Sequence, residues 1–234
     1  MNYDKLPFKG FSPKAAKFFT DLASNNNREW FNANKETYES LIKTPSQELV
    51  NSMGQIFAKN GMKYVADPKK SLFKIYRDIR FSKDKSPYKT NMGVFFPYAM
   101  SLPKTQPVET PGIYFHLEGK ETFIAGGQHM PSPNVLKSIR LRISEDWEML
   151  NKIIKSKSFL KEFPEVFNDE QLKRMPLGFP ADHPAESLLR LKGFTVYCKI
   201  NMKDINSNHL LGLLEQKANA LAPLNEFLVE ALES

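Results

Sequence analysis

An α+β fold, with a mainly antiparallel central sheet, helices packed on it and helical segments at both ends, is what this sequence predicts. Three observations carry that reading. The first quarter repeats apolar residues at helical spacing, the middle switches to period two, and the period-two segments follow one another without helices alternating between them. Regular βαβ order is missing, and neither GxGxxG nor GxxxxGK[ST] occurs, so nucleotide-binding doubly wound folds and α/β barrels are not supported.

Ser12-Pro13 opens the first helix with a hydroxyl at the N-cap and proline behind it, and Ala15, Phe18, Phe19 and Leu22 follow in register until the asparagines 25–27. A second helix starts near Asn27 and carries Trp30, Phe31, Tyr38 and Leu41. The capping-box spacing of Thr44 and Gln47 predicts a third, ending near Asn60-Gly61. Period two then predicts a strand over Phe73–Phe81, with Arg77 on the face of Phe73, Ile75, Ile79 and Phe81. Further strands are expected at Gly93–Tyr98, Ile113–Glu118, Thr122–Ala125 and Phe194–Met202, with a hairpin turn at Glu118–Glu121. Gly126-Gly127 reads as a strand-to-helix connection before a helix begun by Ser132-Pro133 and continued through Trp147 to Ile154. Short helical pieces are expected at Phe159–Phe163 and Ala185–Leu191, and a C-terminal helix at Asn208–Leu232, kinked at Pro223.

At 234 residues and 41% apolar content the chain has material for one substantial core, and we read residues 1–234 as a single domain. The stretch 102–111, with Pro103, Pro107 and Pro111, reads as an excursion between strands. The single cysteine excludes an intramolecular disulfide and fits a reducing compartment. Charged residues interrupt the N-terminal segment, and no apolar run reaches the ~20 residues of a spanning helix. A soluble cytoplasmic protein without membrane contact is therefore expected.

The charge is uneven. Between Lys69 and Lys89 eight basic residues face only Asp78 and Asp84, so this window carries +6 of the formal +7, interleaved with Phe73, Tyr76, Phe81 and Tyr88. Such a local excess concentrates anions. Arg77, in phase with apolar neighbours, needs a carboxylate, phosphate or carbonyl partner, and Asp78 points to the other strand face. Either an acid of the fold, such as Glu29 or Asp182, or a ligand supplies it. In the ligand reading Arg77 and Arg80 make directed contacts, Lys83, Lys85 and Lys89 supply field, and Tyr88 a hydrogen bond or stack. Nucleic acid fits the charge, but no helix-turn-helix, zinc-finger or RNP-type sequence supports it.

Several segments together resemble a widespread uncharacterised family of bacteria and fungi, domain of unknown function 2461. They are Asn26-Asn27-Arg28-Glu29-Trp30-Phe31, the run from Arg77-Asp78-Ile79-Arg80-Phe81 to Ser86-Pro87-Tyr88-Lys89, the Gly112–His116 strand, Gly126-Gly127, Gly178-Phe179 and Asp182-His183-Pro184. The resemblance implies no activity or catalytic residue to transfer. Two positions depart from the expected pattern: Lys74 stands where the first motif arginine is expected, and Leu177 where an arginine precedes Gly-Phe.

His183 and Asp78 are the candidate catalytic residues, His183 as a general acid or base if Asp182 fixes its tautomer, although Asp182 equally suits a helix cap. His116, His129 and His183 lack HExxH, HxH or cysteine-pair spacing, so no metal is expected, and no cofactor is implied. Gly126-Gly127 before the Ser132-Pro133 helix start offers amides to an anion or simply connects two elements. Cys198 alternates with Phe194, Val196 and Ile200 and reads as a core thiol. Three functions stay open: a module for an anionic, phosphate-bearing ligand held by 69–89, an enzyme on a phosphorylated or carboxylated small molecule using His183, or a ligand-free interaction domain.

Overall fold

Helical and extended segments fall largely where periodicity puts them. The structure, a computed structural model, describes residues 2–98, 109–167 and 169–233, so most of the proline-rich excursion expected at 102–111 lies outside the described residues. Helix α1 (Lys14–Ser24) buries Ala15, Phe18, Phe19 and Leu22 along one stripe. Helix α2 (Arg28–Ala33) is capped by Asn27, whose side-chain oxygen accepts from the Trp30 amide at 2.9 Å. After α3 (Lys35–Tyr38) the chain does not stop for a cap at Thr44. It runs through a π-helical turn at Glu39–Lys43 straight into α4 (Thr44–Lys59), with Thr44 itself helical. The wider turn sits just before Pro45, whose missing N–H cannot take part in a regular ladder.

Five strands form one antiparallel sheet in the order β1-β2-β3-β5-β4. They are β1 (Asn91–Pro97), β2 (Gly112–Glu118), β3 (Thr122–Gln128), β4 (Glu165–Val166) and β5 (Phe194–Lys199). Helices α5 (Pro133–Ile154, kinked at Asp146), α6 (Lys157–Glu162) and α7 (Glu186–Leu189) lie between β3 and β5, and α8 (His209–Glu233) closes the chain. Pro223 is accommodated inside α8.

Two further expectations fail. Phe73–Phe81 is not a strand: the segment meets β1 and its own return only through isolated bridges, Leu72 with Val94 and Tyr76 with Tyr88. Its amides are shared out accordingly, the Phe73 N–H donating to Gly93 O at 3.0 Å and the Arg77 N–H to Pro87 O at 3.0 Å. Gly126-Gly127 is not a turn either. Both lie inside β3, paired with Val196 and Thr195 of β5 and with Ile113 and Gly112 of β2. At Gly127 the chain takes φ +92°, and a Cβ there would meet Phe194 O at 2.1 Å.

Alternation across the strands gives the sheet two unlike faces. One row runs Val94, Phe115, Ile124 and Cys198, the next Phe96, Ile113, Gly126 and Val196. Apart from Gly126 and the half-buried Cys198, these are fully buried apolar side chains, and α1 and α8 pack on this side. Each such side chain contributes roughly 1.5–3 kcal/mol of burial. The described core is one contiguous cluster from Leu6 to Ala231. Among the described residues no helix is long and apolar enough to cross a membrane.

Leu221 of α8 occupies the space a side chain at position 126 would need, since a Cβ there would stand 2.3 Å from Leu221 Cδ1 and 3.0 Å from Gly112 O. Gly126→Ala is expected to cost about 1–3 kcal/mol by overpacking. A urea midpoint equal to wild type would show that α8 is not seated on β3.

Candidate functional site

The opposite face of the sheet carries the rows Gly93, His116, Phe123, Lys199; Phe95, Tyr114, Ala125, Tyr197; and Pro97, Gly112, Gly127, Thr195. Small residues at Gly112, Ala125 and Gly127 leave a hollow in the middle, and rings stand around it. The result is a cavity of about 490 Å³ walled by Phe73, Phe95, Tyr114, Phe123 and Tyr197, with Thr110, Thr195 and His129 as further lining residues. Tyr114 and Phe123 lie with centroids 5.9 Å apart, Phe123 and Tyr197 4.7 Å apart, and Phe73 and Tyr114 5.9 Å apart. A pocket of this size, mostly aromatic with a few polar groups, suits a small molecule.

Along one wall a polar chain follows the pleat of β2. Tyr114 Oη lies 3.0 Å from His116 Nδ1, and His116 Nε2 lies 3.3 Å from Glu118 Oε2. The ring of His116 stacks on Phe123, centroids 4.4 Å apart, and the residue is only 8% exposed. Because a carboxylate only accepts, Nε2 carries the proton, Nδ1 is the acceptor, and the Tyr114 hydroxyl donates to it. Burial pushes the His116 pKa down against the opposing pull of Glu118 and Glu121, and burial with Glu118 nearby pushes Tyr114 up to about 12. At neutral pH both groups are uncharged. A Cβ on Gly93 would stand 2.5 Å from Tyr114 Oη, so the phenol oxygen sits over a glycine on the cavity side of the sheet.

The basic segment is placed differently from its sequence reading. It contributes Phe73 to the cavity lining, and neither Arg77 nor Arg80 is among the lining residues. Arg77 Nη1 is held by Asp84 and, at 2.7 Å, by Ser86 Oγ, so its partner comes from its own loop and not from Glu29 or Asp182. Arg80 grips Asp78 through Nε at 2.9 Å and Nη2 at 2.6 Å, which holds the Asp78 carboxyl down to about 2. Asp84 is held equally low, chiefly by the Ser86 amide and hydroxyl and then by Arg77. Lys83 is exposed and Lys85 donates to Ile79 O at 2.9 Å. Tyr88 is a core residue, 4% exposed and stacked on Phe31 at 4.0 Å. Lys89 stands against the cavity wall: its Nζ lies 5.4 Å from the Phe73 ring centroid, and burial lowers its pKa.

His183 is occupied by backbone. Its Nδ1 accepts from the Ala185 amide at 3.0 Å, and its Nε2 faces Ser144 O at 3.3 Å, so the imidazole, and not Asp182, takes up an amide at the entrance to α7. Among the described residues no group of three His, Cys, Asp or Glu is arranged to hold a metal ion. Leu177 is fully exposed, Lys74 is exposed, and neither lines the cavity.

Residues 14–227 match the family model described as conserved hypothetical protein (DUF2461). The chain belongs to the DUF2461 family. No curated protein and no solved structure matches it. In this DUF2461 protein the two most distinctive motifs meet. Asn26 Nδ2 donates to Tyr88 O at 2.9 Å, the Tyr88 amide returns a bond to Asn26 Oδ1 at 3.1 Å, and Phe31 stacks on Tyr88. That contact anchors the basic loop to α2 and fixes the segment that delivers Phe73 to the cavity and sets Lys89 against the Phe73 ring.

Sequence reasoning missed Phe95, Tyr114, Phe123 and Tyr197 as site residues and weighed His116 only as a metal ligand. The available signal was the Tyr-x-His-x-Glu spacing from 114 to 118, which puts three polar side chains on one strand face.

His116 is expected to titrate below the ordinary value of about 6.5 in a ring-proton NMR titration. Since the fold favours the neutral ring, its contribution to stability is complete above about pH 6.5 and is lost as pH falls through the lowered folded value. His116→Gln flattens this part of the urea-midpoint profile. Titration at or above 6.5 would contradict the buried, neutral assignment.

Proposed function

We propose that this protein is a binding module for a small molecule with a flat, apolar body and an anionic group, seated on the open face of the sheet. The observation that carries the reading is the cavity of about 490 Å³ walled by five aromatic residues over a floor of glycine and alanine. Flat apolar groups gain both burial and ring contacts there, roughly 0.5–1.5 kcal/mol per well-placed aromatic pair beyond area alone. Support for an anionic group comes from Lys89, which does not itself line the cavity but holds its Nζ 5.4 Å from the ring of Phe73, a wall residue. The arginines of the same loop spend their donors on Asp84, Ser86 and Asp78, which moves the emphasis of the anion reading from Arg77 and Arg80 to Lys89. The scale of the hollow favours a small ligand over a nucleic-acid strand.

Two fluorescent probes separate the body from the charge. Anilinonaphthalene sulfonate and uncharged N-phenylnaphthylamine are both expected to bind one to one to the folded protein. Ala125→Phe, which fills the floor, removes both, and Phe123→Ala weakens both by about tenfold. Lys89→Gln weakens the sulfonate by about fivefold and leaves the neutral probe unchanged. Retention of both probes by the filled variant overturns the cavity reading, and an unchanged sulfonate affinity in Lys89→Gln removes the anionic part.

A further inference from the structure

We propose that Tyr114, His116 and Glu118 form a proton relay that makes the cavity a general acid–base site for flat molecules bearing a weakly acidic hydroxyl, a phenol or an enol. The inference rests on the cavity being a ligand site. Its own basis is the continuous path from Tyr114 Oη to His116 Nδ1 at 3.0 Å and from His116 Nε2 to Glu118 Oε2 at 3.3 Å. Tyr114 lines the cavity, His116 is buried behind it against Phe123, and Glu118 is 41% exposed at the strand end, so the path leads from the hollow to solvent. A relay of this order needs a phenol whose proton already points at a base and whose oxygen lone pairs are free for a ligand. The tautomer fixed by Glu118 supplies that arrangement.

The step balances on protons alone. The ligand O–H bond breaks as its proton passes to Tyr114 Oη, the original Tyr114 proton moves to His116 Nδ1, and the imidazolium so formed stands beside the Glu118 carboxylate. The reverse movement returns a proton to the ligand oxygen. No oxidant or reductant enters. Tyr114 is the residue that touches the ligand; His116 and Glu118 act through it. The other charged groups facing the path are Glu121, held by Tyr197 Oη at 2.6 Å and by Lys199 at 3.5 Å, and Lys89 on Phe73 beside Tyr114. Thr90 Oγ1 lies 3.5 Å from the second oxygen of Glu118.

The test uses 4-nitrophenol as the ligand, following its ionisation by phenolate absorbance and His116 by nitrogen NMR over the same pH series. In the wild-type protein the bound probe is expected to ionise at a lower pH than the free probe, and its binding is expected to raise the pH at which His116 gives up its proton. Tyr114→Phe, followed at saturating probe so that any loss of affinity does not enter, is expected to raise the bound-probe midpoint by about one pH unit, a tenfold change in the proton equilibrium. His116→Gln, which still accepts from Tyr114 but cannot take a proton, gives the same rise. Should that variant fail to fold, Glu118→Gln carries the comparison from the strand end, with the His116 midpoint falling by half a unit or more. A bound-probe midpoint that is the same in wild type, Tyr114→Phe and Glu118→Gln overturns the relay and leaves the cavity standing. Absence of probe binding to the wild type overturns the cavity reading and the relay with it.

Discussion

Because side chains alternate across a strand, burying Val94, Phe115 and Ile124 under α1 and α8 commits every neighbour in the sequence to the opposite side. That single packing constraint generates the site. Helix α8 lies on the covered face, where Leu221 needs the room left by Gly126. On the other face the same register aligns Phe95, Tyr114, Ala125 and Tyr197 across four strands. A slip of one residue in β2 would send Tyr114 and His116 into the core and bring Phe115 to the surface. Register and site are one property of this sheet.

Much of the fold was legible in the sequence, and the failures have physical reasons. Periodicity located the helices and four of the five strands because those elements bury one face each. Phe73–Phe81 imitated a strand, yet Phe73 is 39% exposed and Phe81 95% exposed, so its alternate apolar residues do not share one buried face. Gly126-Gly127 imitated a turn because a Gly-Gly pair is a common turn signal, its usual reason being a special backbone angle. Only Gly127 has it, while Gly126 is small because a helix leans on it. The two-residue β4 is too short to leave any periodic trace. The cavity was the least legible feature, since its walls come from β1, β2, β3, β5 and the 71–77 segment. Which residues stand side by side depends on pairing between strands, which composition and period do not report.

The basic window shows how formal charge differs from available charge. Its sequence argument rested on Arg77 needing a partner, and the partner proved to be Asp84, seven residues along the same loop. Asp78 and Arg80 form a second local pair. Exposed pairs like these are screened by solvent and contribute little to stability, so their effect lies mainly in shaping the loop and spending its donors. What the loop contributes to the open face is a ring and a lysine, Phe73 and Lys89, delivered by the anchoring of Tyr88 between Asn26 and Phe31.

The bridges that join the 71–77 segment to β1 have a consequence for how copies of this chain meet. A sheet is exposed to templated growth at its flanks, where unpaired amides and carbonyls recruit another backbone. Here the β1 flank is partly occupied by hydrogen bonds from Phe73 to Gly93 O and from Phe95 to Ser71 O, and by the Val65 amide on Pro97 O. At the far flank β4 is only two residues long, Glu165–Val166. Among the described residues neither border presents a long, flat ladder, and on the β1 side it is the basic loop that interrupts it.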